Sequence, residues 1–230
     1  MPGSGDFFVW LSQRGVEIGP ILGKAAVETL LMVSLTLVLA TLVGVPLGII
    51  LVVTRPGHIL PSPKVYQALN IIINLVRAVP FIILMVALLP LSRQIVGTTI
   101  GVKGAIVPLT IFTIPFIGRV VESALLEVDP GLIEAFQAMG ATPLQIIQRV
   151  LLKESKPGLI LALTIAAISL IGASAMAGIV GAGGLGDLAI RFGYVRYELD
   201  VMIITIIVLI ILVQGVQSLG NRLAASLKKR

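Results

Sequence analysis

The chain has 230 residues, of which 57% are hydrophobic and 12% charged, with a formal net charge of +6. A soluble domain carries about 25% charged residues, so the composition excludes an ordinary water-soluble domain and points to a bilayer. There is no cysteine and one histidine, His58, which excludes disulfides and thiolate or paired-histidine metal sites.

Residues 1–24 include Asp6 and Glu17 and lack both a basic start and a long apolar core, so they are not expected to be a signal peptide. Phe7, Phe8, Trp10 and Leu11 suit an arm lying in the membrane interface, and a frayed terminus explains them equally well. The first span is expected over 29–54, an uncharged run in which Gly44 and Gly48 form a G-x-x-x-G packing face. The second is expected over 66–91, with Arg77 inside it. An arginine at a span centre costs roughly 2.5–3.5 kcal/mol on insertion scales. Arg77 therefore either faces a cavity or an acidic partner, or snorkels to the surface from a span that begins later. The third span, 103–126, carries Pro108 and Pro115, whose broken backbone bonds neighbouring helices must make good. Arg119 and Glu122, three apart, are expected to pair locally.

Residues 129–154 interrupt this apolar pattern with a water-compatible stretch, read as two short helices. Asp129-Pro130 is a capped helix start, and Leu132, Ile133, Phe136 and Met139 recur at helical spacing behind it. Gly140 ends that helix in the left-handed conformation. Thr142-Pro143 starts the next, with Thr142 and Gln145 at the spacing of a capping box and Ile146, Ile147, Val150 and Leu151 as its apolar face. The polar face carries mainly Arg149 and Lys153, too few cations for a helix lying on lipid headgroups. A groove in a partner protein suits it better.

The fourth span is expected over 157–181. Fourteen of the 29 residues from Gly158 to Gly186 are glycine or alanine, which serves either close packing within the subunit or the wall of a narrow pathway. Met176, the one large flexible side chain between Gly172 and Gly178, is the candidate gate, since a thioether fills irregular space. Ser174, Gly172 and Arg77 are further pathway candidates. GAGGLG at 181–186 matches a dinucleotide fingerprint but lacks the strand that must precede it. It reads instead as a helix end and a flexible outer loop. The fifth span is expected over 200–220, followed by a basic tail, 222–230.

Five spans put the termini on opposite faces. With the N-terminus outside, the inner connections hold ten lysines and arginines against six outside, so the C-terminus and the 129–154 loop are expected in the cytoplasm.

Glu134-Ala135, Gly140 six residues after Glu134, and Val150-Leu151-Leu152 resemble the EAA loop of ABC importer permeases. That pattern is E-A-A, three residues, G, nine residues, then I-x-L-P. Phe136 stands where the pattern has its second alanine and Lys153 where it has proline, leaving Pro157 as the alternative source of a bend into span four. TRPG at 54–57, RAVPFIIL at 77–84, IVPLT at 106–110, PFIGRVVESALLEV at 115–128 and SAMAGIVGAGGLG at 174–186 extend the likeness, to the methionine-importing branch of that family. The resemblance implies an all-α type I importer permease fold over 25–221, with a cytoplasmic coupling helix pair. It also implies a homodimer forming the pathway for D- and L-methionine by alternating access, two ATP-binding cassette ATPase subunits carrying ATP and magnesium, and an external methionine-binding lipoprotein. Carried onto this sequence, the ATPase-coupling residues are Glu134, Ala135, Ala138, Gly140, Ala141, Thr142 and Pro143.

The residues also bound what the chain does. No G-x-x-x-x-G-K-[ST] occurs, so ATP binding by a P-loop is not available to it. A membrane-embedded enzyme would need acids or histidines paired within spans, and the acids lie in loops and at span ends. A nucleic-acid role is not expected, because the basic residues follow span ends. A channel or secondary transporter working without an ATPase is the other transport reading, and co-purification of a nucleotide-binding chain separates the two.

Overall fold

The computed structural model describes residues 4–228, with side chains from 18 to 227, and every regular element among them is helical. Nothing breaks the first apolar run, and the chain makes one long helix of it. Helix α1 is Ser4–Thr54, and its apolar part, Ile18–Thr54, has 37 residues. At 1.5 Å per residue that part is roughly 55 Å long, well beyond a hydrocarbon core of about 30 Å. The helix runs on without a break from residue 4 through the span expected over 29–54. Ile18 and Ala25 are buried against Leu185, Leu188 and Val201, so this stretch docks on its own chain. The side chains of Phe7, Phe8, Trp10 and Leu11 lie outside the described residues, as does the end of the basic tail.

The run 66–91 is two helices rather than one. Helix α2, Pro63–Ala78, and helix α3, Phe81–Val96, meet at 103°. Pro80 has no N–H to give and forces the residue before it into extended backbone, and Val79 has φ −79° and ψ 126°. Helix α4 is Gly101–Leu126. Its Ile117 and Val121 lie where Cβ atoms on Gly44 and Gly48 of α1 would stand, 2.7 and 2.6 Å from the nearest atoms. The G-x-x-x-G face thus lets α1 and α4 touch backbone to side chain, within one chain.

Beyond α4, the 129–154 stretch stands off one end of the bundle, called here the knob end. Helix α8, Lys156–Gly178, returns through the bundle, and helix α10, Leu199–Lys228, closes the fold. Among the described residues the long helices, counting the bent α2–α3 pair as one, make five segments apolar enough to span a membrane. One core joins α1, α3, α4 and α8 around Met32, Met85, Leu109 and Leu170; a second, nearer the knob, gathers Val52, Ile117, Val121, Leu125, Ile146, Val150 and Leu151.

At the opposite end, the glycine end, the expected flexible loop is corrected to a packed one. Helix α9, Gly184–Leu188, and a π-helical stretch, Ala189–Val195, fold back into the protein. A Cβ on Gly178 would stand 2.2 Å from the Asp187 nitrogen, and one on Gly186 2.1 Å from the Ala175 oxygen. Only glycine admits that approach. Glu28 and Thr29 of α1 accept hydrogen bonds from the Gly184 and Leu185 N–H groups at 2.8 and 2.9 Å, capping the short helix from a distant part of the chain.

Candidate functional site

The knob is built from local hydrogen bonds. Helix α5, Pro130–Ala138, begins where the Asp129 carboxylate accepts from the Gly131 N–H at 2.8 Å. It ends in a Schellman turn: Gly140 has φ +79°, its N–H donates to the Gln137 carbonyl at 2.9 Å, and the Ala141 N–H donates to the Phe136 carbonyl at 3.0 Å. Helix α6, Pro143–Ile146, starts with both halves of a capping box, Gln145 N–H to Thr142 Oγ1 and Thr142 N–H to Gln145 Oε1.

A π-helical turn, Ile147–Leu151, and helix α7, Leu152–Glu154, lead to an interruption at Ser155, whose ψ is 1°. Ser155 Oγ donates to the Leu151 carbonyl at 2.5 Å, and Lys156-Pro157 begins α8. The turn into the fourth span thus sits just after Lys153, whose side chain is exposed.

Root and tip of the knob differ sharply. At the root, Ile146, Val150 and Leu151 are fully buried, and Leu132, Ile133 and Phe136 pack on the same core as Val52, Ile117, Val121 and Leu125. Each buried large side chain contributes about 1.5–3 kcal/mol. The root of the knob is therefore packed firmly on α1 and α4. At the tip, Glu134, Ala135, Ala138, Gly140, Thr142 and Pro143 are exposed and Ala141 is half-buried. Met139 does not join the apolar face of α5; it caps the helix and is 71% exposed, a correction. Leu144, 61% exposed, stands on the same tip, and sequence reasoning missed it. Its signal was available: it lies off the stripe of Ile146, Ile147, Val150 and Leu151.

A cavity of about 240 Å³ separates α5 from residues 57–59, lined by His58, Leu125, Val128, Ile133, Glu134 and Gln137. Burial, and then the Arg55 charge, hold the His58 imidazole below its ordinary pKa. Among the described residues no three His, Asp or Glu side chains converge to hold a metal.

On α8, Met176 is 51% exposed and shares one face with Leu161, Ile165, Gly172 and Ile179. A Cβ on Gly172 would meet nothing within 4 Å. Ser174 lies about 200° round the helix from Met176 and Gly172, is 2% exposed, and donates to the Ile171 carbonyl at 2.7 Å. Arg77 sits in the last turn of α2, exposed, on a different helix from Met176.

Arg119 of α4 pairs with Glu122 at 2.8 Å as expected, and it does more. Its Nη2 donates to Asn70 Oδ1 and, at 3.1 Å, to Asn74 Oδ1, joining α4 to α2. Sequence reasoning missed both asparagines, although two amides four apart in an apolar run mark a polar face.

Comparison with known proteins gives concordant results. Residues 44–229 match the family model described as "Binding-protein-dependent transport system inner membrane component". The chain is 49% identical over 210 residues to the probable D-methionine transport system permease protein MetI of Vibrio cholerae, covering 91% of this chain and 93% of that one. It is 49% identical over 170 residues to the D-methionine transport system permease protein MetI of Escherichia coli K12, covering 74% of each. Among solved structures it is similar to a chain of the MetNI methionine ABC transporter in inward-facing conformations, with 47% identity and a TM-score of 0.90, over 92% of this chain and 98% of that one.

Proposed function

The chain belongs to the binding-protein-dependent transport system inner membrane component family, and on that premise we propose that it forms, as a homodimer, the methionine pathway of an ATP-driven importer. It is a multi-pass transport subunit of the inner membrane. In our reading the N-terminus is outside and the C-terminus inside, which puts the knob in the cytoplasm. Two separate ATPase subunits bind ATP and magnesium, and an external binding protein delivers D- or L-methionine.

The observation that carries the substrate is the 49% identity across nine-tenths of the chain to a D-methionine permease. The observation that supports the mechanism is the contrast between the knob's exposed tip and buried root. An ATPase groove takes Met139 and Leu144 with Ala135, Ala138 and Ala141, and Glu134 pairs with a cation there. Gly140, Thr142 and Pro143 set the angle between the two short helices. Motion of the ATPases passes through Ile146, Val150 and Leu151 to α1, α4 and α8. Met176 and the open space beside Gly172 face the pathway between two copies and gate it.

The test is radiolabelled methionine uptake, competed with D- and L-methionine, in proteoliposomes holding the assembled transporter. Gly140→Val puts a β-branched residue at positive φ, a genuine outlier. It should abolish ATP-coupled uptake while leaving membrane insertion intact; normal uptake refutes the coupling role. In the same vesicles Met176→Ala should raise the methionine leak without ATP, and an unchanged leak refutes the gate.

A further inference from the structure

The hydrogen bonds around Arg119 leave two donor groups on one face of α2 without a protein acceptor. Asn70 is fully committed: Nδ2 donates to the Tyr66 carbonyl at 2.9 Å and Oδ1 accepts from Arg119. Asn74 is committed on one side only. Its Oδ1 accepts from Arg119 at 3.1 Å, which fixes the flip of the amide and turns Nδ2 away from Arg119. That Nδ2 has no protein partner among the described residues, and neither has the Arg77 guanidinium, one turn further along the same face. Side chains three apart on a helix have Cβ atoms about 5–6 Å apart, so both groups reach one small anion.

The brace beneath is electrically closed. Arg119 is neutralised by the buried Glu122, and Ile73 anchors α2 to the core. The uncompensated charge on this face is Arg77, at the broken end of a spanning segment where α2 turns by 103° into α3.

We propose that Asn74 and Arg77, oriented by Arg119, Asn70 and Glu122, form a subsite for the carboxylate of the transported amino acid. The inference rests on the transport reading above and deepens it. A guanidinium donates in a planar fork that matches a carboxylate, and the Asn74 N–H adds a third donor. Arg119 is a positioning residue: it holds Asn74 in the one orientation that offers a donor.

The chain has no cysteine, so Arg77→Cys gives this chain a single thiol, whose labelling is read on this chain's own band. The assembled transporter with that substitution is reconstituted in phosphatidylethanolamine–phosphatidylglycerol vesicles and given radiolabelled L-methionine. Losing hydrogen bonds to a charged group should lower uptake about tenfold or more. Reaction with aminoethyl methanethiosulfonate, which restores a positive charge, should recover uptake, and the sulfonatoethyl reagent should not. Methionine should slow labelling, and Asn74→Cys should be labelled and protected in the same way, which covers the case of a misassembled Arg77 variant. Wild-type uptake in Arg77→Cys, or thiols that methionine fails to protect, overturns the subsite. Uptake that follows the phosphatidylglycerol content while the thiol of Arg77→Cys stays unlabelled also overturns it, assigning Arg77 to a lipid phosphate. Wild-type vesicles that import no methionine refute the transport reading itself, a result distinct from wild-type import with an indifferent Arg77→Cys.

Discussion

The two ends of α8 solve one problem in opposite ways. Each carries an irregular segment with a π-helical stretch, the knob at one end and residues 179–197 at the other. Each must satisfy backbone groups that no regular helix uses. The knob does so from within, through the Asp129 cap, the Gly140 turn and the Thr142–Gln145 box. The glycine end does so from afar, through Glu28 and Thr29, 156 residues earlier in the chain. Backbone groups outside regular helix must find partners wherever water cannot reach them, and the buried glycine end finds them on α1. The difference separates a part held by long-range contacts from a part held by its own local bonds.

Three experiments break or sharpen that contrast, the largest effect first. Alanine at Gly186 would press its Cβ on the Ala175 backbone, whereas alanine at Gly140 has open space and only its φ of +79° to bear. Gly186→Ala should destabilise by about 3 kcal/mol and Gly140→Ala by about 1 kcal/mol, read as midpoints of heat-induced aggregation in detergent. Equal losses would erase the distinction. Next, Thr29→Val leaves the buried Leu185 N–H without its acceptor and should cost about 2 kcal/mol. Thr142→Ala removes an exposed cap and should cost about 1 kcal/mol or less. A larger loss at Thr142 would mean that the knob's caps carry fold stability. The smallest effect concerns His58, behind the knob. Burial depresses its folded pKa, so as pH falls the unfolded chain takes up the proton first. Stability should be flat above about pH 6.5 and decline as pH drops from there through the folded value. His58→Gln should flatten that decline, and an unchanged pH profile would remove His58 as its source.

Much of this is legible in the sequence because it is local. The knob's two helices, the role of Gly140 and the Thr142 box follow from residues within a few positions of one another. So do the Arg119–Glu122 pair and the five apolar segments. The glycine end reads as flexible because its partners lie on α1, and composition does not tell a glycine that permits motion from one that permits contact. The break at Val79–Pro80 is visible as a proline, yet hydropathy alone runs on through it. Ser174 groups with Met176 by nearness in sequence, whereas a separation of two residues puts side chains on opposite sides of a helix. Asn70 and Asn74 gain their meaning from an arginine 49 and 45 positions away.

The π turn at Ile147–Leu151 has a consequence for how such a chain can change over time. A π turn holds one residue more than an α turn, so loss of a residue there can be absorbed by relaxing to ordinary helix. The same loss inside α8 would rotate everything beyond it by about 100° and carry Met176 off its face. Residues 147–151 therefore work as a joint in the reading frame of the structure. The knob upstream can change in length without re-aiming the helix that follows.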